Sequence, residues 1–211
     1  KTNEELFLAR DRSGIKPLYT YHDDKTFTFA SEIKSIKRFS KGIDTNSKIL
    51  FFLLGYIPEP VTIYENIYSF PAGCFGFLKN NKLSIKEFDK YNYEPKINKP
   101  YKEIISDVKE LFNNSIKRHL ISDAPIGTFL SGGLDSSIIT AVAAQYKTDL
   151  QTLSLVFDEK ELSEEKYQDL IVKKYNTKHT KYLINESLFL DNIDDYFKAM
   201  EQPTIDGLNT Y

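Results

Sequence analysis

The rhythm of hydrophobic and polar positions changes near the middle of the chain. Before about residue 89, short apolar runs alternate with turn formers, which predicts a mainly β region with short helices. Leu6–Ala9 reads as one strand. Leu18–Tyr21 and Thr26–Ala30 read as a hairpin across the His22–Lys25 turn, and Phe75–Leu78 with Leu83–Phe88 as another around Asn80-Asn81. Ser31 is placed to cap a short helix through Ile33 and Ile36. Ser47 is placed to cap a second over Ile49–Leu54, ended by Gly55 and Pro58.

Residues 89–100 are polar, carry two prolines and follow neither period. We take 91–100 as a linker between regions 1–90 and 101–211. From Tyr101 the pattern becomes alternating helix and strand. Ile104, Val108, Leu111, Phe112, Ile116 and Leu120 share one helical face. Ile126–Leu130 predicts a buried strand, Ser137–Tyr146 a helix apolar nearly all round, and Thr152–Phe157 a second strand. Tyr167, Leu170, Ile171, Lys174 and Tyr175 follow helical spacing, His179–Leu183 is a third strand, and a helix starts near Glu186. Strands separated by helices of this length predict an α/β fold with a parallel sheet and crossover helices.

Composition narrows the function classes. The 211 residues are 41% hydrophobic and 14% aromatic, enough for packed cores. The net charge of −2, with both signs interspersed, gives no general attraction to nucleic acid. No apolar run reaches the roughly 20 residues that span a bilayer. A single cysteine, Cys74, excludes an internal disulfide and a cysteine-based zinc site and suits a reducing cytoplasm. The chain opens on Lys1, already close to a strand, so we expect it to be part of a longer protein.

The candidate chemistry lies at Ser131-Gly132-Gly133-Leu134-Asp135-Ser136, between a strand and a helix. In parallel sheets ligands bind past the carboxyl ends of strands, where loops enter helices. Two glycines permit tight positive-φ backbone and let phosphate oxygens approach the amides. The helix start supplies unpaired N–H groups and partial positive charge. Ser131 and Ser136 add hydroxyls, and Asp135 is suited to Mg²⁺, since a carboxylate among phosphates needs a cation between them. The lysine of the GxxxxGK-Ser/Thr loop is absent. A loop that grips the β- and γ-phosphates as one unit suits expulsion of pyrophosphate from ATP.

With Pro125–Leu130 in front of it, this loop resembles the ATP pyrophosphatase loop of the glutamine-dependent asparagine synthetase family. SGGxDS alone is shared with other adenylating enzymes, such as GMP synthetase and argininosuccinate synthetase. The first half selects among them: Arg10–Tyr19, with Phe29–Lys34 and Pro71-Ala72-Gly73, is similar to the later part of a class II glutamine amidotransferase domain. Ser13 stands where that pattern usually has Phe. The resemblance implies an N-terminal Ntn-hydrolase-type glutaminase portion over 1–90. It implies a Rossmann-like, adenine nucleotide alpha-hydrolase-type synthetase portion over 101–211.

By the same resemblance, glutamine yields ammonia and ATP adenylates the aspartate β-carboxylate. Pyrophosphate leaves, and ammonia attacks the acyl-adenylate. Ser131, Gly132, Gly133, Asp135 and Ser136 would bind pyrophosphate, Asp135 would hold Mg²⁺, and Phe129 and Leu155 would lie beside adenosine. Glu201–Tyr211 resembles the segment near the acceptor site. The nucleophilic cysteine is expected upstream of Lys1 and an SGxGxDE loop downstream of Tyr211, so this stretch holds no catalytic residue and is expected to be inactive alone. Alternatives are an amidotransferase for another acid, such as a sugar uronic acid in polysaccharide assembly or a β-lactam precursor, and an ATP-binding homologue without catalysis. The partners are small molecules; oligomeric state is not legible.

Other tempting residues have plainer readings. Cys74 reads as a small buried hydrophobe, His119 as a helix C-terminal contact, and His22 as solvated. His179 divides evenly between packing and function. Arg10, Asp11, Arg12 and Lys16 have the look of a surface charge run, and the resemblance implies instead ion pairs that hold the loop near the glutamine pocket or domain interface. Tyr91, Tyr93 and Tyr101 read as junction packing, since base stacking would want a basic patch beside them.

Overall fold

Strand β1 (Leu6–Ala9) pairs antiparallel with β5 (Cys74–Lys79), which pairs with β6 (Lys82–Glu87). The β5–β6 turn is made by Asn80 and Asn81, both at positive φ (49° and 56°), the backbone a two-residue hairpin turn requires. A second antiparallel sheet runs β3 (Phe27–Ala30), β2 (Tyr19–His22), β4 (Ile67–Ser69). In this computed structural model residues 5–90, 97–158 and 163–205 are described. Of the expected linker, 91–96 lie outside the described residues, and 97–100 have no regular structure.

The chain divides into two compact units, Lys1–Pro95 with Ile193–Tyr211, and Lys96–Asn192. The first holds both antiparallel sheets. Tyr21, Ile33, Ile36 and Ile67 form one core cluster, and Leu8, Phe70 and Cys74 another. Helix α1 (Ile33–Ile36) is a single turn continued by a 3₁₀ turn over Lys37–Phe39. Ser31 does not cap it; Glu32 takes that position without a side-chain bond. Helix α2 (Thr45–Leu54) starts two residues before Ser47, because the Asp44 carboxylate accepts from the Ser47 amide at 2.6 Å. Gly55 ends it at φ 78°.

The second unit carries α3 (Tyr101–His119), β7 (Gly127–Phe129), α4 (Leu134–Tyr146), β8 (Gln151–Phe157), α5 (Glu165–Tyr175) and β9 (Lys178–Ile184). Helix α6 (Glu186–Ala199) follows. β7, β8 and β9 form one parallel sheet in sequential order. This is the α/β arrangement that the spacing of strands and helices predicts. Leu130, Leu150, Val142, Ala143 and Val156 are buried around it, with Thr140 and Thr152. Thr128 and Thr140 share a 2.9 Å hydroxyl bond that ties β7 to α4.

Two details correct the sequence reading. Helix α4 begins at Leu134, three residues before the expected start, so Asp135 and Ser136 sit in its first turn. On α5 the inward face passes through Gln168, Ile171, Val172 and Tyr175, while Tyr167 and Leu170 are exposed. The face is rotated by about one residue because a polar side chain, Gln168, finds its partners inside.

Candidate functional site

β7 ends at Phe129 and the chain turns at once. Leu130 is buried, its amide donates to the Leu153 carbonyl at 2.8 Å, and its carbonyl accepts from the Ser154 hydroxyl at 2.5 Å. This anchors the loop entry in β8. Gly132 then takes φ 95°, a conformation L side chains rarely adopt. A Cβ there would lie 3.0 Å from Glu164 Cβ and 3.1 Å from the Glu164 carbonyl, so the loop rests directly on the start of α5. Gly133 is the N-cap of α4 in extended backbone.

Inside the loop the hydroxyls organise one another. Ser131 Oγ and Ser136 Oγ are 2.9 Å apart, the Gly133 amide donates to Ser131 Oγ, and Ser136 Oγ donates to the Gly133 carbonyl. The first regular helical bond is donated by the Ser137 amide to the Gly133 carbonyl. The amides of Leu134, Asp135 and Ser136 precede it, and no side chain caps them. Asp135 is exposed on the same turn. Ser131, Gly132, Gly133, Asp135 and Ser136 thus gather at the carboxyl end of β7. Phe129 is 84% exposed just before them, and Leu155 is half-buried in the neighbouring strand.

Gln168 is a residue that the sequence reading missed. Its Nε2 donates to the Ser131 carbonyl at 3.1 Å and to the Leu155 carbonyl at 3.2 Å. Its only sequence signal was a polar residue one place off an apolar helical stripe. His179 points Nδ1 at the Thr152 hydroxyl, 2.9 Å away, while its Nε2 is buried without a partner among the described residues. Burial, then the Lys181 charge, pushes its pKa below the ordinary histidine value.

The first unit contains a second glycine-bearing loop with the opposite economy of charge. Arg10, nearly buried, donates to the carbonyls of Gly14, Lys16 and Phe70, to Ser69 Oγ, and to the Glu59 carboxylate at 3.0 Å. The Asp11 carboxylate accepts from the amides of Ser13, Ile15 and Lys16. The Lys16 and Ile15 amides, in that order, hold its pKa below the usual carboxylate range. Arg12 pairs with Asp89. Arg10 and Asp11 thus hold the loop, the structural role that the family resemblance implied for this cluster, while Lys16 takes part through its backbone.

Elsewhere, Cys74 is buried, and burial followed by the Glu87 charge raises its thiol pKa. His119 Nδ1 meets the Ser115 carbonyl at 2.9 Å. His22 is not simply solvated: its Nε2 lies 3.0 Å from the Asn81 carbonyl and its ring edge meets Phe27. In the terminal segment, Glu201 and Gln202 accept from the amides of Lys34 and Ile63, within the first unit. Residues 206–211 lie outside the described residues.

The first unit carries two antiparallel sheets and the second a parallel α/β sheet with the Ser131–Ser136 loop at a strand end, which defines a two-part chain. A glutamine amidotransferase domain family model matches residues 1–91, and the asparagine synthase family model matches residues 107–211. The chain belongs to the asparagine synthetase family. It is 34% identical over 218 residues to a putative glutamine-hydrolysing asparagine synthetase 2 of Methanocaldococcus jannaschii, covering 98% of this chain and 42% of that protein. It is 32% identical to the glutamine-hydrolysing asparagine synthetase 3 of Bacillus subtilis (94% of this chain, 35% of that protein). With the glutamine-hydrolysing asparagine synthetase of Gallus gallus it shares 28% identity (99% of this chain, 36% of that protein). The chain therefore spans less than half the length of these relatives.

Proposed function

We propose that the protein to which this chain belongs is an ATP-dependent, glutamine-hydrolysing asparagine synthetase. The observation that carries the reading is the strand–loop–helix at Ser131–Ser136, with an uncapped helix start and hydroxyls already ordered around it. In this reading a carboxylate oxygen of aspartate attacks the α-phosphorus of ATP. The bond from that phosphorus to the bridging oxygen breaks, and pyrophosphate leaves. Ammonia released from glutamine then attacks the acyl carbon of β-aspartyl-AMP and expels AMP.

Ser131, Gly132, Gly133, Asp135 and Ser136 are assigned to pyrophosphate, with Phe129 and Leu155 beside the adenosine. The missing loop lysine favours release of β and γ together over transfer of γ. Asp135 is assigned to Mg²⁺, which would neutralise the leaving pyrophosphate. Among the described residues no group of three or more His, Cys, Asp or Glu gathers into a metal cage. A magnesium ion arriving with a nucleotide needs only one or two carboxylates besides phosphate oxygens and water, so an exposed Asp135 fits that demand.

No helix among the described residues is long and apolar enough to cross a membrane, and the reading takes the cytoplasm as the working compartment. Residues 1–90 are assigned to the glutaminase domain and 101–211 to the synthetase domain, with no catalytic residue in this stretch. The test is pyrophosphate release by the full-length protein given ATP, Mg²⁺, glutamine and a single acid. Release that requires aspartate supports the reading. Release triggered only by another acid, such as a uronic acid, reassigns the acceptor, and ATP binding without release under any acid contradicts it.

A further inference from the structure

Gln168 is 2% exposed, in a helix whose neighbouring residues Tyr167 and Asp169 face outward. A buried amide is costly unless it is hydrogen-bonded. Gln168 reaches two acceptors, the carbonyls of Ser131 and Leu155, and its Oε1 has no partner among the described residues. Two carbonyls can be served only by the NH₂ end, which fixes the amide's orientation by chemistry. Everything the side chain contributes in polar terms is therefore directed at these two backbone groups.

Those groups are not arbitrary. The Ser131 carbonyl belongs to the peptide that carries the Gly132 N–H, and in a trans peptide the two point in opposite directions. Holding the carbonyl toward α5 aims the Gly132 N–H away from α5. On the α5 side Gly132 is already against Glu164, with no space for a Cβ. The loop is thus braced from behind while its first amide is turned outward. The Leu155 carbonyl belongs to β8, the strand assigned above to the adenosine.

We propose that Gln168 is a positioning residue of the nucleotide site, joining its pyrophosphate end to its adenosine end through one amide. The proposal rests on the pyrophosphate reading of the loop. Gln168 touches no substrate; it acts through the Ser131–Gly132 peptide and through β8.

The test uses the full-length protein, with MgATP affinity measured at pH 8 and pH 6 and melting temperature recorded without nucleotide. Gln168→Met keeps length and apolar volume but removes both donors. It is expected to weaken MgATP binding about tenfold, equally at both pH values, from the loss of two hydrogen bonds to backbone carbonyls. Gln168→Glu places a carboxylate against two carbonyls and is expected to bind more weakly than Gln168→Met at pH 8. At pH 6 protonation of the buried carboxyl, favoured by desolvation, restores one donor and at least part of the affinity. That pH-dependent rescue is not expected of a side chain that only fills space. If Gln168→Met fails to fold, the pH 6 to pH 8 ratio of Gln168→Glu against wild type carries the test. Wild-type-like affinity in both variants overturns the proposal, as does a Gln168→Glu defect that is unchanged between the two pH values. Failure of the wild-type protein itself to bind MgATP is a separate result, which removes the pyrophosphate reading and this inference with it.

Discussion

Two loops in this chain begin alike and end differently. Arg10–Pro17 follows β1 and turns on Gly14 at φ 64°; Ser131–Ser136 follows β7 and turns on Gly132 at φ 95°. In the first, the protein supplies its own anion. Asp11 fills a nest of three amides, and Arg10 takes five surrounding acceptor groups. In the second, the Ser131 and Ser136 hydroxyls bond each other and the backbone of the N-cap Gly133. No side chain caps the amides of the first turn of α4, and the one carboxylate on that turn is exposed. The same local device, amides concentrated by a positive-φ glycine, is closed in one unit and open in the other. A closed nest holds structure together; an open one is free to take a phosphate from outside.

The comparison can be broken from either side. Arg10→Met should have the largest effect, destabilising the first unit by about 3 kcal/mol, since it leaves the buried Phe70 carbonyl and the Gly14 and Lys16 carbonyls without their donor. The half-exposed Glu59 carboxylate, by contrast, keeps its bond from Ser69. Urea unfolding of the full-length protein measures it, with MgATP affinity expected to stay unchanged. Gly132→Ala should show the reverse. It combines a left-handed backbone penalty with contact against the Glu164 carbonyl and should weaken MgATP binding by about a hundredfold. Titration calorimetry on the folded variant reads that loss directly.

Smaller effects follow from pH. The Asp11 carboxyl is depressed in the folded state, first by the Lys16 amide and then by that of Ile15. Its contribution to stability is present above the unfolded carboxylate pKa and is lost as pH falls through the lower, folded value. Asp11→Asn should melt below wild type at neutral pH, and the gap should close in acid. The smallest effect is at His179, whose folded pKa is also depressed, by burial and then by Lys181. Below the ordinary histidine pKa the unfolded chain binds the proton more readily, so stability declines as pH drops from that value through the folded one. His179→Gln should flatten that decline in melting curves taken across the range.

How much was legible in advance depended on how local the determinants were. The hairpins carried their own signals, Asn80-Asn81 in one and the Asp23 side chain bonding the Lys25 and Thr26 amides in the other. The loop residues were legible because glycine, serine and aspartate are informative at a strand–helix junction. Strand β4, three residues long, was missed because it is defined by pairing with β2 some 48 positions earlier, not by its own pattern. Ser47 was misread as a cap because Asp44, three residues before it, competes for the same role through its carboxylate. Gln168 was invisible for a different reason. A buried glutamine makes sense only once the Ser131 and Leu155 carbonyls are known to lie within reach, and no periodicity reports that.

The open loop is the centre of the account, and hydrogen exchange tests it most directly. Full-length protein is compared with and without MgATP, following the amides of the peptide that spans residues 131–137. The account predicts slowed exchange there on nucleotide addition, lost in Asp135→Ala, with the amides of Ser13, Ile15 and Lys16 unchanged. Exchange at 131–137 that does not respond to MgATP, in a protein shown to bind it, would contradict the account.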